Sequence, residues 1–138
     1  MIRSAFMALV AAASLAGCDP RFNYETNLSP RDIQTLTGTW EGQSSLSLGE
    51  KECPTSYLWS LRVANGNVAG SLVDKETPNA PPTRFTTFLD YDGSMTALVR
   101  PGGWDTTVRG TFQRDSLAGE TKSKACNHRM RLRRTSSS

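Results

Sequence analysis

The feature that rules out most folds is a period of two. From Gly38 to Arg134 the chain is a succession of short segments in which apolar and polar residues alternate, each ended by Gly, Pro, Asn or Asp. Alternation puts every second side chain on one face of a strand, whereas a helix needs a period of 3.6. The clearest segment sets Tyr57, Trp59, Leu61 and Val63 on one face against Ser60 and Arg62. In the first segment Trp40, Leu46 and Leu48 share one parity. Asn65-Gly66 supplies two residues that tolerate the positive φ of a tight hairpin turn. The same reading predicts eight strands, over residues 38–48, 57–64, 67–74, 84–91, 94–100, 104–113, 117–121 and 127–134. Residues 75–82 read as a loop, because their prolines remove ladder donors. Ser29-Pro30-Arg31-Asp32 carries a hydroxyl cap, a proline for the first helical position and an acid for the first turn. It predicts a short helix over residues 30–36. The expected fold is all-β: a small eight-stranded antiparallel up-and-down barrel preceded by that helix, one domain over residues 30–138. Closing the sheet removes its exposed edges.

The first residues obey other rules. Met1-Ile2-Arg3 gives one positive charge, and residues 4–14 form an alanine-rich apolar run. A bilayer core of about 30 Å needs roughly 20 apolar residues, so the run reads as a signal peptide and not as a membrane span. It ends in Leu15-Ala16-Gly17-Cys18, which resembles the lipobox of bacterial lipoproteins. The resemblance implies removal of residues 1–17, a diacylglyceryl group on the Cys18 thiol and acylation of the new amine. At about 0.8 kcal/mol per buried methylene, several acyl chains hold a protein firmly on a membrane, here facing the periplasm. Residues 18–29 become the lipidated N-terminus and a spacer. Asp19 resembles the inner-membrane retention signal of enterobacterial lipoproteins.

With Cys18 assigned to lipid, Cys53 and Cys126 remain as a pair in an oxidising compartment. Cys53 falls between strands one and two, Cys126 between strands seven and eight. In an up-and-down barrel both connections lie at the same end, and strands two and eight both flank strand one. A disulfide would therefore staple the closing seam. The alternative, a reactive or metal-binding pair, would draw on nearby His128, the one histidine of the chain.

Charge is unevenly spread. Lys122, Lys124, Arg129, Arg131, Arg133 and Arg134 occur in the last stretch without an acid, while residues 19–120 hold nine basic against thirteen acidic groups. Lys122, Lys124, Arg129, Arg131 and Arg133 are a candidate docking surface for anionic headgroups or an acidic partner. The plainer reading is a solvated face, partly paired with Glu41 or Glu120. Nucleic acid is not an expected partner of an exported domain without a base-stacking platform.

The short helix followed by Gly38-Thr39-Trp40 at the start of the first strand resembles the calycin pattern of lipocalins and avidins. That resemblance implies a tryptophan closing the barrel bottom beneath an arginine of the last strand. Parity puts Arg134 inward with Met130 and Leu132, so Trp40 and Arg134 are the expected closing pair. An eight-stranded barrel holds either core side chains or one small ligand. Trp40, Tyr57, Trp59, Leu61, Phe85, Met95, Phe112, Met130 and Leu132 all compete for this interior, which favours a filled core. Asp90, Asp92 and Asp115 fall at turns, where aspartate bonds its own backbone. No catalytic set, metal or cofactor is implied, and His128 is expected on the surface or at the rim. The expected function is non-enzymatic binding by a tethered barrel. The alternative is inhibition: the spacer, helix and Gly38-Thr39-Trp40 layout resembles a small barrel family that blocks secreted metalloproteases, and the cysteine pair across the seam resembles that of lipoproteins that block c-type lysozyme, whose Ser-Gly-Ala loop is absent here.

Overall fold

The computed structural model describes residues 33–137. The expected signal segment, Cys18, Asp19, the expected spacer and residues 30–32 of the expected helix lie outside the described residues. Residues 33 and 34 are helical and continue into a turn, with the Leu36 amide donating to the Ile33 carbonyl at 3.0 Å.

Eight strands succeed it: β1 (Gly38–Gly49), β2 (Ser56–Ala64), β3 (Asn67–Asp74), β4 (Thr83–Phe88), β5 (Ser94–Val99), β6 (Thr106–Phe112), β7 (Ser116–Ser123) and β8 (Cys126–Ser136). All neighbours are antiparallel, in the order β4-β3-β2-β1-β8-β7-β6-β5, and the sheet curls into a nearly closed barrel. The first and last strands are the best joined, with a register running from Thr39↔Ser136 to Gly49↔Cys126.

The remaining opening lies between β4 and β5, which are consecutive in sequence. Their connection bonds within itself, from the Asp90 amide to the Ser94 carbonyl and from the Gly93 amide to the Asp90 carbonyl, both at 2.9 Å, and to the β2–β3 turn and β6. The Leu89 amide donates to the Gly66 carbonyl and the Phe112 amide to the Gly93 carbonyl, both at 2.8 Å. Across the gap the Thr87 hydroxyl reaches the Thr96 carbonyl at 2.7 Å. Strand four therefore ends at Phe88 and not at residue 91, and strand six begins at Thr106, behind a 3₁₀ turn over Pro101–Gly103. Strands seven and eight are longer than expected.

All nine side chains expected in the interior are buried. Gly70 makes room for one of them: a Cβ there would meet the Phe85 ring at 2.3 Å. The ring instead lies over bare backbone and reaches Trp59 edge-on, with centroids 6.1 Å apart. One parity expectation fails. Alternation groups Leu48 with Trp40 and Leu46, but a register shift between Leu46 and Leu48 turns Leu48 outward, 70% exposed. A bulge inserts one residue and so moves the residues beyond it to the opposite face.

The lower end is shut by a tryptophan and an arginine. Trp40 has no exposed surface, meets Phe112 edge-on at 4.8 Å, and donates its indole N–H to the Leu36 carbonyl at 3.0 Å. The Arg134 guanidinium lies 5.0 Å from the Trp40 ring centre. It also donates to the carbonyls of Thr35 (2.7 Å), Thr37 (3.1 Å) and Arg114. One side chain thus joins β8, the β6–β7 turn and the helical turn over the plugged base.

Candidate functional site at the upper mouth

The opposite end is built from the loops 50–55, 75–82 and 100–105 and the β7–β8 turn. Cys53 and Cys126 form a disulfide with Cα atoms 5.7 Å apart, 73 residues apart in sequence. Because Cys126 opens β8 and Cys53 precedes β2, the bridge joins the connections leading to the two strands that flank β1.

His128 departs from expectation. It is not at the rim but buried inside, 2% exposed, two residues before Met130 on the same inward face. Its Nε2 lies 2.7 Å from the Pro54 carbonyl, and its ring centre lies 5.0 Å from that of Tyr57. With Nε2–H as the donor, the loop residue after Cys53 is fixed to β8 by a hydrogen bond beside the covalent bridge. Extending the inward parity of Met130 and Leu132 by one more step finds this residue.

Beneath the loops is a small cavity of about 20 Å³, walled by Tyr57, Leu72, Thr106, Thr121 and His128 among others. That is room for one water molecule. Thr121 is 2% exposed, and its hydroxyl has no hydrogen-bond partner in the structure. A buried hydroxyl without a partner costs about 1–3 kcal/mol, so the position favours an occupant that can bond to it. Above the cavity a cleft of about 360 Å³ opens to solvent between Glu52, Asp74, Pro81 and the 100–105 loop. Pro54, Tyr57, Leu72, Pro101 and Trp104 line both, so the cavity is the floor of the cleft.

Trp104 is the feature that alternation misplaces, putting it at the start of a strand. Gly102 (φ 65°) and Gly103 (φ 88°) turn the chain through the left-handed region, which glycine adopts without strain. The indole after them is left 49% exposed. The Trp104 carbonyl accepts from the Thr106 hydroxyl at 3.0 Å, and Arg100 pairs with Asp105 at 2.8 Å across the loop stem. That pair is exposed and contributes little stability, but it shapes the stem. Burial first, and the facing Asp74 carboxylate second, push the Tyr57 phenol above its ordinary value of 10.0. The phenol therefore stays neutral and keeps its proton to donate.

The candidate basic residues lie away from the mouth, except for Lys124 in the β7–β8 turn. Arg129, Arg131 and Arg133 are exposed on the outer face of β8, and Lys122 on that of β7. Glu120 faces Arg129 in the ladder and pairs with Lys122 at 3.5 Å. Glu41 faces Arg133. Arg109 on β6 is exposed beside Lys122 and Glu120, while exposed Arg62 on β2 and Arg84 on β4 share a separate groove on the other side of β1. At the β4–β5 turn, Asp92 accepts from the Ser94 amide at 2.9 Å and hydroxyl at 2.6 Å, bonds that lower its carboxyl below the ordinary range. Among the described residues no group of three or more His, Cys, Asp and Glu is placed to hold a metal ion. No protein-family model matches the chain, and no curated protein matches it.

Proposed function

We propose that the protein is a membrane-tethered, non-enzymatic binding barrel of calycin-like type that receives its target at the upper mouth. The observation that carries this reading is the single-ended architecture. The interior is filled and the base is shut by Trp40 and Arg134, while the other end holds an aromatic-rimmed cleft over an unpartnered hydroxyl. A filled barrel leaves no deep calyx, so ligand is held by rim and loops. The turn over residues 33–37 lies at the shut end, so a spacer leading from lipid on Cys18 would join the barrel opposite its mouth. The Cys53–Cys126 disulfide supports an oxidising compartment, in agreement with export. The basic face supports contact with anionic headgroups beside the anchor. A second reading, inhibition of a secreted protease or lysozyme, draws on Trp104, since a half-exposed tryptophan on a short turn is an anchor type enriched at protein interfaces.

Two measurements test the proposal. A palmitate analogue fed to cells should label the protein, and Cys18→Ser should abolish the label and release the domain from membranes. An unlabelled wild-type chain contradicts the tether. In a thermal-shift screen of small molecules on the purified full-length protein, stabilising compounds should lose their effect in Trp104→Ala. Equal stabilisation of both contradicts binding at the mouth.

A further inference from the structure

We propose that the upper cleft binds a small organic cation, an alkylammonium or guanidinium group, between the rings of Trp104 and Tyr57 with Glu52 and Asp74 as counter-charges. This rests on the mouth being the binding end and names the chemistry that the mouth selects. The cleft is lined by two carboxylates and two aromatic rings, and by no lysine or arginine. That composition is the reverse of the barrel wall, where Arg62, Arg84, Arg129, Arg131 and Arg133 stand exposed. The lysine next to Asp74 is directed elsewhere: Lys75 Nζ lies 3.4 Å from Gln43 Oε1 on the outside of β1.

The prolines of the lining also remove backbone donors. Pro54, Pro81 and Pro101 have no backbone N–H to offer. The Pro54 carbonyl already takes the His128 bond, so that ring nitrogen is engaged. The groups open to a ligand are the Glu52 and Asp74 carboxylates at the edge, which only accept, and the Tyr57 phenol and the buried, unpartnered Thr121 hydroxyl, which accept or donate. A ligand that donates and carries positive charge meets this set, and an anion does not. Ring faces add to the selection, because a cation within about 6 Å of an indole or phenol centre is attracted by the ring quadrupole. The floor cavity of about 20 Å³ admits one water or one small group, so the cationic head sits at the rings and reaches Thr121 directly or through that water.

The test is a titration of the full-length protein with choline, with agmatine and with 3,3-dimethylbutan-1-ol, the uncharged isostere of choline, monitored by tryptophan fluorescence and calorimetry. Trp40 and Trp59 are buried, so the exposed Trp104 supplies the ligand-dependent change. Choline or agmatine should bind, with the isostere at least tenfold weaker. Trp104→Ala should remove the fluorescence response. The double variant Glu52→Gln/Asp74→Asn should weaken cation binding roughly tenfold, about 1.4 kcal/mol, and leave the isostere unaffected. Asp74→Asn keeps a side-chain oxygen for the Glu76 amide, so the loop turn is retained. Equal binding of cation and isostere, an unaffected double variant, or no binding of either cation overturns the proposal. A neutral compound that stabilises the wild type and not Trp104→Ala would overturn the cation and keep the mouth, which separates the two failures.

Discussion

Removing the disulfide as Cys53→Ala/Cys126→Ala should lower the free energy of unfolding by about 4 kcal/mol, read from urea denaturation, with a steeper slope because the freed unfolded chain exposes more surface. The size reflects the 73-residue separation of the bridged cysteines, because a cross-link over so long a loop removes much of the freedom of the unfolded chain. Its position adds a local consequence. The bridge ties the β1–β2 loop to the start of β8 beside the 2.7 Å bond from His128 to the Pro54 carbonyl. The variant should therefore loosen the mouth before it loosens the base, seen as earlier amide exchange around Tyr57 than around Trp40. A loss below about 1 kcal/mol would contradict the entropic account of the bridge.

Trp40→Ala should be about as damaging, with a loss of roughly 3–5 kcal/mol, the range for removing a large buried aromatic. The indole is wholly buried, so truncation leaves a hole beneath Arg134 and beside Phe112 and removes the donor to the Leu36 carbonyl. Arg134→Met separates plugging from clamping. It keeps an apolar stem over the indole but withdraws the donors from Thr35, Thr37 and Arg114, and should cost about 1–3 kcal/mol. Equal losses for the two variants would mean that the tryptophan acts only through the arginine. The readout is the same urea transition, with near-ultraviolet circular dichroism reporting the Trp40 environment.

The parts of this fold that are legible in the sequence are those set by local alternation. Tyr57, Trp59, Leu61 and Val63 share an inward face because a strand has no other way to hide them, and counting parity along the last strand places Arg134 over Trp40. The pairing of β1 with β8 is a consequence of closure, and the cysteine positions agree with it. The illegible parts depend on departures from alternation or on strands far apart in the chain. A bulge after Leu46 sends Leu48 outward, and nothing in the residue types there marks the insertion. The β4–β5 opening arises from backbone bonds to Gly66 and Gly93, which only the assembled barrel shows. At the site, His128 is within reach of the parity rule, although its closeness to Cys126 points to the rim. Trp104 is not within reach. Its role comes from the two left-handed glycines before it and from the loops that approach from β2 and β4. The basic face is half visible, since β8 concentrates its arginines in sequence while Arg109 comes beside Lys122 only in the assembled barrel.

The most direct test of the single-ended barrel is site-specific photocrosslinking of the full-length protein in its own cells. A photoreactive phenylalanine analogue placed at Thr77, on the upper cleft, is compared with the same residue at Tyr91, exposed beside the shut end. Covalent adducts at position 77 and none at position 91 are the expected result. Adducts confined to position 91, equal adducts at both, or none at either would contradict a barrel that binds through its upper mouth.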